Sequence, residues 1–251
     1  MLTSNTAKFV FYSELNFFLD NNKQNKEIKF NFNNNPSIKD SIEALGVPHT
    51  EVGLIKINDI SVDFNHRVNN GDNVSVYPIY YSKETIENTL LREKIKEYTF
   101  MVDANIGKMA KYLRMMGFDT YYDLSIHDKE IVEISEKQKR IILTRDIGML
   151  KRKNATHGYF VRNTDIKEQV IEIIKRFSLS SKIKAFSLCF ECNNRLDIIE
   201  KETIKDKVPE KVYEEHNNFY ECKKCNKIFW KGSHYTKMLN DIEFFRNKGL
   251  D

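Results

Sequence analysis

Hydrophobic and polar residues alternate with a short period through the first third of the chain. Lys8-Phe9-Val10-Phe11-Tyr12 reads as a strand, followed across a turn by Glu14-Leu15-Asn16-Phe17-Phe18-Leu19. Glu27-Ile28-Lys29-Phe30-Asn31-Phe32 alternates polar and apolar, the pattern of a half-buried strand. Asn33-Asn34-Asn35-Pro36-Ser37 marks a turn, and Ser37 is placed to cap a short helix running to Ala44, with Gly46 as its stop. Val52 to Ile57 and Val74 to Tyr80 are two further strands, separated by the turn-rich Asn69-Asn70-Gly71-Asp72. Hairpin, helix and then two strands is a β-grasp order.

The period then changes. Ile86, Leu90, Leu91, Ile95 and Tyr98 form one apolar stripe on a charged segment and predict a linker helix over 83–98. From residue 99 strands and helices alternate. Thr99–Val102 is an apolar strand. Ile106, Met109, Ala110, Leu113 and Met116 lie on one face of a helix that Gly117 ends. Asp119–Asp123, Arg140–Thr144 and His157–Arg162 are further strands, and helices are expected from Asp128, over Ile147–Lys153 and over Ile166–Phe177. Repeated strand–helix units predict a largely parallel sheet covered by helices, so the chain is read as multidomain α/β.

Composition narrows the class. A chain of 251 residues suits two or three small domains. Mean hydropathy is −0.55, and no apolar run approaches the ~20 residues that span a bilayer, so no membrane partner is expected. Met1-Leu2-Thr3-Ser4-Asn5 lacks a basic-then-apolar signal pattern, which makes a cytoplasmic protein the expectation. The net charge of +4 is unevenly placed. Residues 1–82 carry 7 Lys/Arg against 9 Asp/Glu, whereas 99–178 carry 15 against 11. The basic half suits a phosphate backbone as partner.

Three carboxylates stand out in that half. Asp103 and Asp146 close the apolar runs Phe100-Met101-Val102 and Ile141-Ile142-Leu143-Thr144, and Asp128 opens a helix between them. In an open parallel sheet, function gathers at the carboxyl ends of strands. Carboxylates gathered there repel unless a cation joins them, and hard oxygen ligands select Mg²⁺ or Mn²⁺. The structural alternatives are an N-cap at Asp128 and a turn residue at Asp146. Lys108, Lys111, Tyr112 and Arg114, on the opposite face of the helix after Asp103, are either a solvated face or contacts to phosphate.

Cys189-Phe190-Glu191-Cys192 and Cys222-Lys223-Lys224-Cys225 are two equal C-x₂-C knuckles, a spacing that suits four-thiolate structural Zn²⁺ in a ribbon over 181–251. Trp230 follows the second knuckle. It either packs the small ribbon core, the preferred reading, or stacks a nucleobase. His49 reads as a turn histidine, and His234 is assigned no metal.

Val102-Asp103-Ala104-Asn105-Ile106-Gly107-Lys108-Met109-Ala110-Lys111-Tyr112-Leu113-Arg114-Met115-Met116-Gly117-Phe118-Asp119 closely resembles the opening of the Mut-seven C-terminal type RNase domain, a PIN-like nuclease. His127-Asp128-Lys129-Glu130-Ile131 and Leu143-Thr144-Arg145-Asp146 resemble its middle acidic helix start and its Thr-x-Asp element, and Phe229-Trp230-Lys231-Gly232-Ser233-His234 its tail. Gly46-Val47-Pro48-His49-Thr50-Glu51-Val52 and Gly71-Asp72-Asn73-Val74-Ser75-Val76-Tyr77-Pro78 resemble the ubiquitin-like domain that precedes it. The resemblance implies a metal-dependent ribonuclease acting on RNA. Asp103, Asp128 and Asp146 would hold Mg²⁺ or Mn²⁺, and Thr144 would orient a carboxylate or water. Lys108, Arg114 and Arg145 would face phosphate, with a fourth acid among Asp165, Asp119 and Glu130. The expected division is a β-grasp domain over 1–82, a linker helix over 83–98, a PIN-like domain over 99–180 and a zinc ribbon over 181–251. A protein partner would bind through the β-grasp domain. Two rival functions are a non-catalytic RNA-binding or ribosome-associated module and a relative of the sulfur carriers. Those carriers need a terminal Gly-Gly where this chain has Tyr77-Pro78-Ile79-Tyr80-Tyr81 and runs on. The endonucleolytic or exonucleolytic mode is left open.

Overall fold

A computed structural model describes residues 5–79, 82, 85, 87 and 89–250. The N-terminal part is a five-stranded mixed sheet. Its strands are β1 (Asn5–Phe11), β2 (Ile28–Phe32), β3 (Val52–Ile57), β4 (Ile60–Ser61) and β5 (Asn73–Pro78), in the order β2-β1-β5-β3-β4. β1 is antiparallel to β2 and parallel to β5, and β5 is antiparallel to β3, which is the expected grasp arrangement. Helix α1 (Ile38–Ala44) covers it, its first turn capped by Ser37, whose hydroxyl accepts from the Asp40 amide at 3.1 Å. Phe9, Leu15, Ile38, Ile42, Ile55 and Val76 are fully buried between sheet and helix. Gly46 has φ +117°, and a Cβ there would meet the Phe18 carbonyl oxygen at 2.5 Å, so this stop admits only glycine. The two-residue β4 lacks any alternation long enough to read in the sequence.

The linker departs from expectation. Thr85 and Glu87 are helical, but residues 89–98 are not, so the helix predicted over 83–98 does not form along its second half. Ile86 lies outside the described residues. Tertiary contacts override the stripe. Leu91 packs against the grasp core while Leu90 is 60% exposed, and the Arg92 guanidinium donates to the carbonyls of His49, Thr50, Val52 and Thr156 at 2.7–2.9 Å.

The central segment is the parallel-sheet α/β part. In chain order it runs β6 (Phe100–Val102), α2 (Lys108–Met115), β7 (Thr120–Tyr121), α3 (Asp128–Gln138), β8 (Ile141–Thr144), α4 (Ile147–Leu150), β9 (Gly158–Phe160) and α5 (Ile166–Arg176). β6 pairs parallel with β7, and β8 pairs parallel with β9. Every residue of β6, β8 and β9 is buried, which explains why they read as unbroken apolar runs. The C-terminal part holds the antiparallel strands β10 (Asp197–Ile199), β11 (Phe219–Glu221) and β12 (Ile228–Trp230), with α6 (Glu210–Glu215) between the first two and α7 (Ser233–Lys248) at the end. No helix among the described residues is long and apolar enough to cross a membrane.

Contacts divide the chain into two compact units, Met1–Glu97 with Asp128–Phe160, and Tyr98–His127 with Val161–Asp251. The first joins the grasp to α3, β8, α4 and β9. His49 is 5% exposed, its Nδ1 2.6 Å from Glu43 Oε1 and its Nε2 2.7 Å from the Ala155 carbonyl oxygen. Glu51 Oε1 accepts from the Phe160 amide at 2.6 Å, and the Phe17 and Phe18 rings lie against Phe160. The turn histidine is thus a packing residue. The second unit stacks α7 on α5, burying Ile242 and Phe245.

Candidate functional site

In the second unit, Asp103 stands directly after β6 and is 4% exposed. It opens a single 3₁₀ turn, Ala104–Ile106, yet its carboxylate does not cap that turn. Asn105 Nδ2 donates to Asp103 Oδ2 at 3.1 Å and fixes the carboxylate's orientation. Beside it lies a cleft of about 520 Å³ lined by Asn105, Gly107, Lys108, Tyr122, Asp165 and Gln169. Lys108 is exposed on this cleft. Gly107 lets the Tyr122 ring approach closely, because a Cβ there would lie 2.2 Å from Tyr122 Oη and push that ring aside. Asp165 is the N-cap of α5, where its Oδ1 accepts from the Lys167 and Glu168 amides at 2.9 and 3.2 Å. Asp119 accepts from Asn193 Nδ2 at 2.6 Å. Of the fourth-acid candidates, only Asp165 lines the cleft.

The first unit holds Asp128, Thr144, Arg145 and Asp146. Thr144 ends β8 and is fully buried. Its Oγ1 accepts from the Asp146 amide at 2.9 Å, so the hydroxyl sets the turn that carries the carboxylate. Asp146 is the N-cap of α4, with Oδ1 accepting from the Gly148 amide at 2.7 Å. Asp128 is the first residue of α3 and lies 3.2 Å from Arg152, both partly exposed. Asp146, expected as a metal ligand or a turn residue, thus also caps a helix. Arg145 is half-buried, with its guanidinium carbon 5.9 Å from the Phe160 ring centroid.

Arg114 does not occupy the place expected of a phosphate ligand. It is 6% exposed, Nε donates to the Thr120 carbonyl at 2.9 Å, and Nη1 donates to the Glu191 carbonyl at 2.7 Å. Burial pulls its pKa below the usual range, opposed by Cys192, Cys189 and the neighbouring acids. It clamps α2 and β7 to the first cysteine knuckle. A signal existed: Arg114 follows Ala110 by four residues, which places it at the edge of the apolar face.

The four cysteines converge, with ligand sulfurs all within 4.8 Å of one another. Cys189 Sγ is 3.8 Å from Cys225 Sγ, and Cys192 Sγ is 3.3 Å from Cys222 Sγ. Tetrahedral zinc at ~2.3 Å from each sulfur sets the sulfurs roughly 3.8 Å apart, so the cluster fits a zinc ribbon. The knuckles are built alike. Asn193 and Asn226 follow the second cysteine of each pair at φ 66° and 58°, a left-handed conformation that asparagine tolerates. Their amides donate to the Cys189 and Cys222 carbonyls at 2.8 Å. The repeated Cys-Asn was a readable signal that the spacing alone did not use. Burial pushes the Cys189 thiol up to about 12. At Cys222 burial is outweighed by the Cys225 and Lys224 amides and the Cys192 thiol, which bring it down to about 7.

A family model described as Mut7-C RNAse domain matches residues 98–242, and one described as Mut7-C ubiquitin matches residues 4–84. No curated protein and no solved structure matches the chain significantly.

Proposed function

We propose that this chain, which belongs to the Mut7-C RNAse domain family, is a metal-dependent ribonuclease that hydrolyses RNA phosphodiester bonds. The observation that carries this reading is a parallel between two strand ends. Asp103 and Asp146 each follow the carboxyl end of a buried parallel strand, and each carboxylate accepts a hydrogen bond from two residues on, from Asn105 Nδ2 and from the Gly148 amide. The carboxyl ends of parallel strands are where open α/β sheets place their ligands.

Asp103, Asp128 and Asp146 would hold Mg²⁺ or Mn²⁺, and their hard oxygen donors suit such ions. The ion would polarise a phosphoryl oxygen and acidify a bound water. The residues around it do the positioning. Asn105 holds Asp103, and Thr144 holds the turn bearing Asp146. Lys108, exposed on the cleft beside Asp103, and Arg145 would bind the phosphate on which negative charge grows. Water oxygen bonds to phosphorus, the bond to the departing ribose oxygen breaks, and the released proton passes to that oxygen or to solvent. Zinc would close the cysteine cluster as a structural ion, and a protein partner would bind through the grasp domain. Hydrolysis of labelled single-stranded RNA with Mg²⁺ or Mn²⁺, lost on amidation of Asp103 or Asp146, is the test. Binding without cleavage in every metal would favour the non-catalytic RNA-binding module.

A further inference from the structure

A recess of about 200 Å³ lies between the antiparallel sheet and the start of α7, walled by Phe186, Phe190, Tyr220, Phe229, Trp230 and Tyr235. Drug-sized ligand pockets run from ~300 to ~1,000 Å³, so this volume suits a single flat ring system. None of the six rings is fully buried, whereas Phe219 and Phe245 in the same unit are at 0% exposure. The unit thus has its core without them. Phe186 and Tyr235 lie 4.7 Å apart, and Phe190 meets Phe229 edge-on at 5.0 Å, while Trp230 stacks on no other ring among the described residues.

The rim is cationic. Lys111 Nζ lies 5.0 Å over the Phe190 ring and Lys231 Nζ 5.8 Å over Tyr235, and neither is paired with a carboxylate among the described residues. Lys231 also lines a shallower groove that shares Phe190, Phe229, Trp230 and Tyr235 and continues past His216 and His234. Glu215, on that groove's wall, lies 3.8 Å from Lys211. Gly232 keeps the indole edge open, because a Cβ there would come within 3.0 Å of Trp230 Nε1. The first zinc knuckle fixes Phe190 between Cys189 and Cys192.

Flat apolar walls with ammonium groups at the rim complement a chain of planar rings joined by phosphates. An apolar peptide would leave the cations unanswered. We propose that this recess binds one unstacked base of single-stranded RNA against Trp230, with the flanking phosphates at Lys231 and Lys111. The identity of the ligand rests on the ribonuclease reading. Stacking on aromatic side chains tolerates any base, so little sequence preference is expected.

Trp230 is the sole tryptophan of the chain, which makes it a site-specific reporter. The zinc-loaded full-length protein, without added Mg²⁺ or Mn²⁺, is titrated with a single-stranded oligouridine RNA while tryptophan emission and the anisotropy of labelled RNA are followed. Quenching is expected to saturate at the same midpoint as anisotropy. Trp230→Ala should weaken binding by about 5- to 160-fold, the range that stacking of one base implies. Trp230→Phe, which keeps a ring and controls for folding, should stay within a few-fold of wild type, and Lys231→Glu should weaken binding. RNA binding with unchanged emission, or equal affinity in Trp230→Ala, overturns the proposal. So does quenching by an apolar peptide with none by RNA. Cleavage with Mn²⁺ but no quenching overturns the recess alone, and quenching without cleavage overturns only the hydrolytic reading.

Discussion

Arg114 Nη1 donates to the backbone carbonyl of Glu191 at 2.7 Å, joining the helix after Asp103 to the first cysteine knuckle. Asn193 completes the joint from the other side, its Oδ1 accepting from the Thr120 amide at 2.9 Å and its Nδ2 donating to Asp119. The knuckle is therefore part of the same packed body as α2 and β7.

Arg114→Ala should lower stability by roughly 2–3 kcal/mol, because buried carbonyls lose a charged donor. Arg114→Lys should recover little of this, since an ammonium cannot span carbonyls placed for a planar fork. Urea midpoints at constant m-value are the check. Unchanged stability with weakened RNA binding would restore the phosphate-contact role.

Arg92 should behave alike in the first unit. Its guanidinium serves four carbonyls, three on the His49–Val52 segment and one at Thr156. Arg92→Ala is expected to cost about 2–4 kcal/mol. Hydrogen exchange should show the loss at β3 and β9 together, whereas loss confined to the linker would contradict this coupling.

His157 supplies a pH dependence. Burial, with Arg92 nearby, lowers its pKa to about 4, and its Nδ1 is buried without a hydrogen-bond partner. The unfolded chain takes a proton near pH 6.5 that the folded chain refuses until about 4. This contribution is therefore full above pH 6.5 and is lost as pH falls toward 4, by at most roughly 1 kcal/mol per pH unit. His157→Phe should flatten the acid limb of the stability profile between those values, and an unaltered limb would contradict the assignment.

Zinc removal should loosen the C-terminal part while sparing the grasp. The chelated protein is expected to exchange amides at β11 and β12 at least about tenfold faster, with β1 and β5 unchanged. Cys222→Ser should do the same, and metal analysis should give one zinc per wild-type chain. Unchanged exchange at β11 and β12 would count against a structural ion.

Much of this was legible in residue order. The apolar runs ending at Val102 and Thr144 are strands because both faces are buried, and their carboxylates fall where parallel strands end. The grasp followed from alternation at Ile28–Phe32 and the stop at Gly46. What escaped were features settled by tertiary partners. The stripe from Ile86 to Tyr98 has helical spacing, but Leu91 and Arg92 are drawn to different partners and the helix stops short. Arg114 has the sequence profile of a surface cation, yet the backbone carbonyls of Thr120 and Glu191 turn it inward. The capping role of Asp146 escaped because a four-residue helix leaves no periodic pattern to read. The division into units was not readable either, since Asp128–Phe160 packs with a domain whose contacts to it lie about a hundred residues away, as in Glu51 with Phe160.

The most direct measurement is cleavage itself. Zinc-loaded wild type, Asp103→Asn and Asp146→Asn are incubated with end-labelled single-stranded RNA and Mn²⁺, with folding verified by urea midpoint and RNA affinity by anisotropy. The account predicts cleavage by wild type that depends on the added metal and falls by about 100-fold or more in each variant, with fold and binding preserved. Metal-dependent cleavage that persists at the wild-type rate in both variants would contradict it.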